Sequence, residues 1–237
     1  MKFEHPLIEG RLVKRYKRFM ADVVPKTNDE AITIHCPNTG SMKNCLFPGE
    51  RVWYWDSGNP KRKYRHTWEL AENTRGELIG INTHRANALV IEALEQGLVP
   101  ELVFQTLKTE VPYGEQRSRI DILLDDNDLK TWVEVKSVTL ASDEDEGLGY
   151  FPDAVSTRAT KHLDELMLMR DKGDRAALIF CVQHTGIKRV QAAAHIDPVY
   201  AERLLEAKQN GVEIFALGCS ITQDGITPFK LLPVELT

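Results

Sequence analysis

The tightest constraint on this chain is a pair of short alternating segments, each carrying its charges on one side. In Arg119-Ile120-Asp121-Ile122-Leu123-Leu124 the twofold period of a strand sets Arg119 and Asp121 on one face and Ile120 and Ile122 on the other. In Trp132-Val133-Glu134-Val135-Lys136-Ser137 the same period pairs Glu134 with Lys136 and turns Val133 and Val135 away. Twelve residues separate Asp121 from Glu134. They suffice for a hairpin through Asp125-Asp126-Asn127-Asp128, which makes the two strands neighbours. The pattern predicts two carboxylates converging beside one ammonium within the segment Arg117–Ser137.

That grouping suits phosphodiester hydrolysis. Carboxylate oxygens suit Mg2+ or Mn2+; Mg2+ keeps several waters and takes further oxygens from phosphate. A lysine beside the ion can position water or neutralise developing charge. Charged faces turned to solvent would give the same alternation. The order of elements favours a site: helix, strand, hairpin with Asp121, apolar strand with Glu134 and Lys136, then helix.

The first 80 residues read as short strands at Gly10–Tyr16, Ala21–Val24, Ala31–Cys36, Arg51–Asp56, His66–Ala71 and Glu77–Asn82, separated by Pro- and Gly-rich turns. So many short strands predict a small barrel of the OB type over residues 1–82. From residue 83 to 237 the order is αβββαβ and then αββ, an α/β unit with a central mixed sheet, so the whole reads as an α+β protein of two domains. Ala86–Gln96 is the first helix, with Gly97 as its stop. A second is predicted from Pro152 to Asp171, with Pro152 in its first turn and Val155, Ala159, Leu163 and Leu166 as its core stripe. Its other face carries Arg158, Lys161, His162 and Glu165, candidates for phosphate contact or an ordinary solvated face. Asp197 is placed to cap a third helix, Pro198–Gln209. Ala176–Val182 is nearly all apolar and predicts a strand buried on both faces. The acidic run Asp143–Glu146 reads as a mobile loop.

The formal net charge is −5, but it is unevenly spread. Residues 1–70 carry 13 Lys and Arg against 8 Asp and Glu, and the remainder carries 17 against 27. The basic part suits phosphates and the acidic part a divalent cation. Two basic runs stand out, Lys14-Arg15-Tyr16-Lys17-Arg18 and Lys61-Arg62-Lys63-Tyr64. Their cations offer counterion-release affinity for a phosphate backbone, and Tyr16 and Tyr64 are candidates for base stacking. Most other rings of this part, Trp53 and Trp55 included, suit a barrel core. Cys36, Cys45, Cys181 and Cys219 form no CxxC pair and suit reduced thiols of a cytoplasmic protein. Cys36 and Cys45 with His35 fit no zinc-finger spacing. The chain has no apolar leader at its start and no apolar run of membrane-spanning length.

Asp121 followed by Glu134-Val135-Lys136 resembles the PD-(D/E)xK nuclease superfamily, with Ile120 where that motif places its proline. The resemblance implies that Asp121, Glu134 and the Val135 carbonyl hold the metal and that Lys136 is the catalytic lysine. Glu92 on the first helix matches an extra acid that many members carry; a solvent-facing residue is the other reading. Seven ordered blocks extend the likeness to the whole chain. They include Arg15–Phe19, His35–Met42, Lys61–Tyr64, His66–Leu70, Arg117–Asp121, Glu134–Leu140 and Tyr150–Ala154. Together they resemble the bacterial sugar fermentation stimulation protein A family. That resemblance implies an OB-like domain before a nuclease-like one, DNA binding without sequence preference, and a regulatory role in sugar (maltose) metabolism. Nothing in the residues separates RNA from DNA, and oligomeric state is left open, a homodimer included.

Overall fold

The structure is a computed structural model describing residues 1–114, 118–127 and 129–236. Arg117, which opens one of the blocks above, and Asp128 of the expected hairpin lie outside the described residues. The first unit is built from β1 (Ile8–Tyr16), β2 (Met20–Pro25), β3 (Ile32–His35), β4 (Arg51–Asp56), β5 (His66–Glu72) and β6 (Leu78–Gly80). The sheet runs β3-β2-β1-β4-β5-β6, and a β3–β5 contact at His35 and Thr67 closes the barrel. Leu12, Val23, Ile34, Val52, Tyr54 and Trp68 fill it. This is the OB-like barrel that turn spacing and alternation predicted.

The second unit starts with α1 (Arg85–Glu95), then β7 (Thr106–Tyr113), β8 (Ser118–Asp126) and β9 (Leu129–Val138). After them come β10 (Leu140–Ala141), β11 (Leu148–Phe151), α2 (Thr157–Asp171), β12 (Arg175–Val182), β13 (Arg189–Ala192), α3 (Pro198–Gln209), β14 (Glu213–Thr222), β15 (Gly225–Leu232) and β16 (Val234–Glu235). A six-stranded mixed sheet runs β15-β14-β12-β9-β8-β7, and a small second sheet runs β10-β11-β13-β16. β12 lies between β9 and β14, parallel to both. Its residues from Ala176 to Val182 are all buried, as a strand covered on both faces requires.

The large sheet separates two cores. On one side α1 buries Ala86, Leu89, Val90, Ala93 and Leu94, the i, i+3, i+4 stripe of an amphipathic helix, against Ile122, Val133, Val135 and Ile179. Gly97 ends this helix at φ 69°, where a residue without Cβ is favoured. On the other side α2 and α3 pack Leu163, Leu166, Tyr200 and Leu204 against Ile120, Leu178 and Phe180. The Ser156 side chain caps α2 by accepting from the Ala159 N–H, and Asp197 caps α3 by accepting from the Tyr200 N–H. Asp197 also accepts the Ser156 N–H at 2.9 Å, so one carboxylate joins the starts of both helices.

Four expectations need correcting. Pro152 does not enter α2. It follows β11 through a cis Phe151–Pro152 bond, and α2 starts five residues later, at Thr157, after its Ser156 cap. Val155 is 72% exposed and outside the helix, so it drops out of the core stripe. The acidic run is anchored: Ser142 Oγ accepts the N–H groups of Glu144 and Asp145, Asn44 donates to Asp143, and Arg189 pairs with Asp145 at 2.5 Å. Ile120 and Ile122 pack into opposite cores, so simple alternation fails across Asp121.

The two units share a wall. Trp53 and Leu70 of the barrel pack into the α1 core. Glu69 of β5 is fully buried and receives Trp55 Nε1 at 3.0 Å, Asn82 Nδ2 at 3.2 Å and the Arg85 guanidinium. The barrel thus holds the entry to α1. The first residues cross to the far edge of the second unit, where Phe3 N–H donates to the Asp224 carbonyl. Among the described residues, no helix is long and apolar enough to cross a membrane.

Candidate metal centre

The β8–β9 ladder ends at Ile122 and Val133. Beyond that pair the strands part, and the Asp121 carboxylate fills the fork. Asp121 Oδ2 accepts the Val135 N–H at 2.7 Å, and Oδ1 accepts Asn87 Nδ2 from α1 at 2.9 Å. A strand residue presents its N–H and C=O to the same neighbouring edge, so the Val135 carbonyl opens into the same fork. Opposite Asp121 in the β7–β8 register stands Glu110, whose φ of 55° breaks β7 out of regular geometry.

Glu134 is 2% exposed. Its Oε1 receives Lys136 Nζ at 2.6 Å and the His162 Nδ1 from α2. Arg158 Nε lies 3.4 Å from His162 Nε2, and Lys136 Nζ lies 3.1 Å from His162 Nδ1. The second oxygen, Oε2, is buried with no partner. A buried carboxylate oxygen left bare is costly, and it belongs to the carboxylate whose charge acts on Asp121. Asp121, the Val135 carbonyl and this Oε2 fit a divalent cation. Among the described residues no three His, Cys, Asp or Glu side chains gather at metal-holding distance. Asp121, Glu134 and the Val135 carbonyl would hold such an ion, with the balance left to water and phosphate, as suits Mg2+.

Burial pushes the Asp121 carboxyl above its usual range, and the charge of Glu134 adds to it; the Val135 N–H and the Asn87 amide offset only part. Burial also pushes Glu134 up, but the His162 hydrogen bond and the charges of Lys136 and His162 outweigh it, and its net direction is down. The two carboxylates therefore diverge, with Glu134 the more firmly ionised.

Glu92 is not brought to the fork. It lies five residues beyond Asn87 on α1, about 140° around the helix, and pairs with the Met1 ammonium at 2.7 Å. The helix meets Asp121 with an amide instead. Asn87 was missed, although an asparagine inside an apolar helix is a poor helix former and was a readable signal. His162 reads in the sequence as part of a helix face that could approach the site, to contact phosphate or shuttle a proton; its contact with Glu134 depends on where α2 packs.

The basic residues divide by what they touch. Lys17 and Arg18 form the exposed β1–β2 turn at φ 49° and 64°, and Lys61 and Lys63 are exposed. Lys14 lies 3.7 Å from Asp22 and over the Tyr16 ring. The Tyr16 hydroxyl donates to Asp22 at 3.0 Å, and Tyr64 is half-buried beside Lys63. Arg62 donates to Thr67 and lies over Trp55. Arg15 is committed inward: its guanidinium donates to the carbonyls of Arg18, Asn38, Gly40 and Ser41. It organises a loop and is removed from the phosphate-contact set. Arg119 donates to the Glu110 carbonyl at 2.9 Å but stays exposed, as does Arg158. Lys161 is half-buried on α2 beside His162.

Comparison with known proteins extends this picture. Residues 84–225 match the sugar fermentation stimulation protein RE domain, and residues 13–81 match the SfsA N-terminal OB domain. The chain is 56% identical over 238 residues, the full length of both proteins, to the sugar fermentation stimulation protein homolog of Shewanella loihica. It is 55% identical over 236 residues, again full length, to that of Teredinibacter turnerae. Among solved structures it is similar to Pyrococcus furiosus SfsA in complex with Ca2+, with a TM-score of 0.84 and 29% identity over 99% of this chain and 98% of that one.

Proposed function

We propose, from the premise that this chain belongs to the sugar fermentation stimulation protein family, that it binds DNA without sequence preference and hydrolyses phosphodiesters at a divalent cation in the β8–β9 fork. The observation that carries this reading is the bare, buried Oε2 of Glu134 beside Asp121. The calcium named for the Pyrococcus furiosus relative supports a divalent site, and the ligand set suits Mg2+ or Mn2+ here. When bound, such an ion draws charge from phosphoryl oxygens and lowers the pKa of a coordinated water.

The chain's own residues do the rest. Asn87 and the Val135 N–H hold the Asp121 carboxylate in one orientation. Lys136 and His162 share Oε1 of Glu134, so Oε2 is the oxygen that would hold the ion. The Lys136 ammonium neutralises charge that develops on the phosphate. Arg158 and Arg119 stand exposed nearby for flanking phosphates, while Lys17, Arg18, Lys61 and Lys63 hold the backbone at a distance. Contacts of this kind position a nucleic acid and read no sequence.

The decisive experiment gives labelled DNA and RNA to wild type and Asp121→Ala with Mg2+ or Mn2+. Cleavage by wild type alone is expected; equal cleavage by both proteins overturns the site. A second reading, a DNA-binding regulator of sugar metabolism without turnover, draws on the Lys136–Glu134–His162 cluster, which balances much of its own charge with no ion. Heat of metal binding without cleavage of either nucleic acid would select it.

A further inference from the structure

We propose that a cleft between the barrel and the large sheet holds one unpaired nucleobase beside the metal fork, so that single strands and strand ends are preferred over intact duplex. The inference rests on the nucleic-acid reading above. The cleft has a volume of about 230 Å3, and its walls include Thr39, Thr83, Ser137, Thr139, Tyr150 and Asp153. That is smaller than the pockets of roughly 300 Å3 and more that take drug-sized ligands, and it suits one small planar group.

Its chemistry excludes phosphate as the occupant. Among the described residues no lysine or arginine lines it, and the Asp153 carboxylate does. The hydroxyls of Thr39, Thr83 and Thr139 each donate or accept as required, and Ser137, which accepts Gln183 Nε2 at 3.0 Å, keeps its own proton to donate, so together they can serve any base edge. Tyr150, steadied by a T-shaped contact with His195 at 4.8 Å between centroids, and Phe151 supply aromatic walls. Stacking combined with adaptable hydroxyls binds bases without choosing among them, and a base must leave its helix to enter such a pocket.

The walls are set in advance. On the barrel side, Arg15 Nη2 holds the carbonyls of Asn38 and Gly40, both at 2.9 Å. From the second unit, Asp153 Oδ2 accepts Ser41 Oγ at 2.8 Å and the Met42 N–H at 3.0 Å. Two independent elements connect the cleft to the fork. Ser137 lines the cleft, and Val135, two strand residues or about 7 Å away, opens into the fork. Thr83 lines the cleft from the turn two residues before α1, and Asn87, in the first turn of that helix, holds Asp121. A base in the cleft therefore places a neighbouring phosphate at the fork.

The test measures binding, not cleavage. Anisotropy titrations in EDTA, at one salt concentration, would compare a fluorescent 12-nucleotide single strand with a blunt duplex of the same sequence. Wild type is expected to bind the single strand about tenfold more tightly, in line with stacking of one base. Thr39→Trp on the barrel loop and Thr139→Trp on the sheet side each fill the cleft. Each is expected to abolish that preference and leave duplex affinity unchanged, which also shows that the variant is folded. Equal wild-type affinities, or a preference that survives both substitutions, overturns the proposal. Calcium calorimetry on the same proteins reads the fork separately: absence of heat refutes the metal reading and leaves the strand-preference result to stand or fall by itself.

Discussion

The Asp121 carboxylate accepts the Val135 N–H at 2.7 Å across the point where β8 and β9 part. One side chain thus closes an opened ladder and faces the candidate metal position. The two roles separate by substitution. Asp121→Asn keeps an acceptor for the Val135 N–H and is expected to unfold in urea close to wild type, while Ca2+ or Mn2+ affinity in calorimetry falls at least tenfold. Asp121→Ala also leaves a buried donor unpaired, at a cost of about 1–3 kcal/mol. Unchanged metal affinity in both variants would remove Asp121 from the site.

Glu69 ties the barrel to α1 through Trp55, Asn82 and Arg85. Glu69→Ala strands a half-buried guanidinium and two donors, so a loss of about 3–5 kcal/mol is expected, read from urea unfolding. Glu69→Gln retains an acceptor and should lose less. An alanine variant no less stable than the exposed control Lys172→Ala would show that this junction does not hold the units together.

Arg15 and its neighbours are expected to part company. Replacing Lys17 and Arg18 together by alanine should lower the slope of log affinity against log salt by about 1.5 and leave stability unchanged, since both side chains are exposed. Arg15→Ala should instead destabilise the protein, because it frees carbonyls of Arg18, Asn38, Gly40 and Ser41. A salt slope that is identical in wild type and the double variant would sink the assignment of the turn to phosphate.

His184 is 2% exposed. Its Nδ1 accepts the Gly186 N–H, and its Nε2 has no partner. Burial holds its pKa down at about 4, against 6.5 for the free side chain. The unfolded chain therefore binds the proton first as pH falls. The neutral ring's contribution is complete above pH 6.5 and is lost between 6.5 and about 4, on the order of 3 kcal/mol by linkage. Urea midpoints of wild type and His184→Asn, followed from pH 7 to pH 4.5, should converge if the ring is responsible. Parallel curves would assign the acid sensitivity elsewhere.

Local pattern carried much of the architecture. Alternation and turn residues located the barrel strands, the apolar run from Ala176 to Val182 announced a central strand, and Asp197 with Pro198 marked the start of α3. Where one local signal had two readings, the choice failed. Pro152 reads equally as a first-turn helix residue and as the end of a strand, and only the pairing of β11 with β13 selects the second. Glu92 and Asn87 share one helix, and no spacing says which of them meets β8.

That Asp121, Glu134 and Lys136 lie on adjacent strands follows from the residues alone, because strand period and hairpin length are local properties of the backbone. Tertiary structure alone decided that the strands part at Asp121, that Asn87 and His162 orient the two carboxylates, and that Glu134 keeps one oxygen bare. Those contacts join residues 28 and 34 positions apart. They exist because α1 and α2 pack on opposite faces of one sheet, a relation that no local pattern encodes.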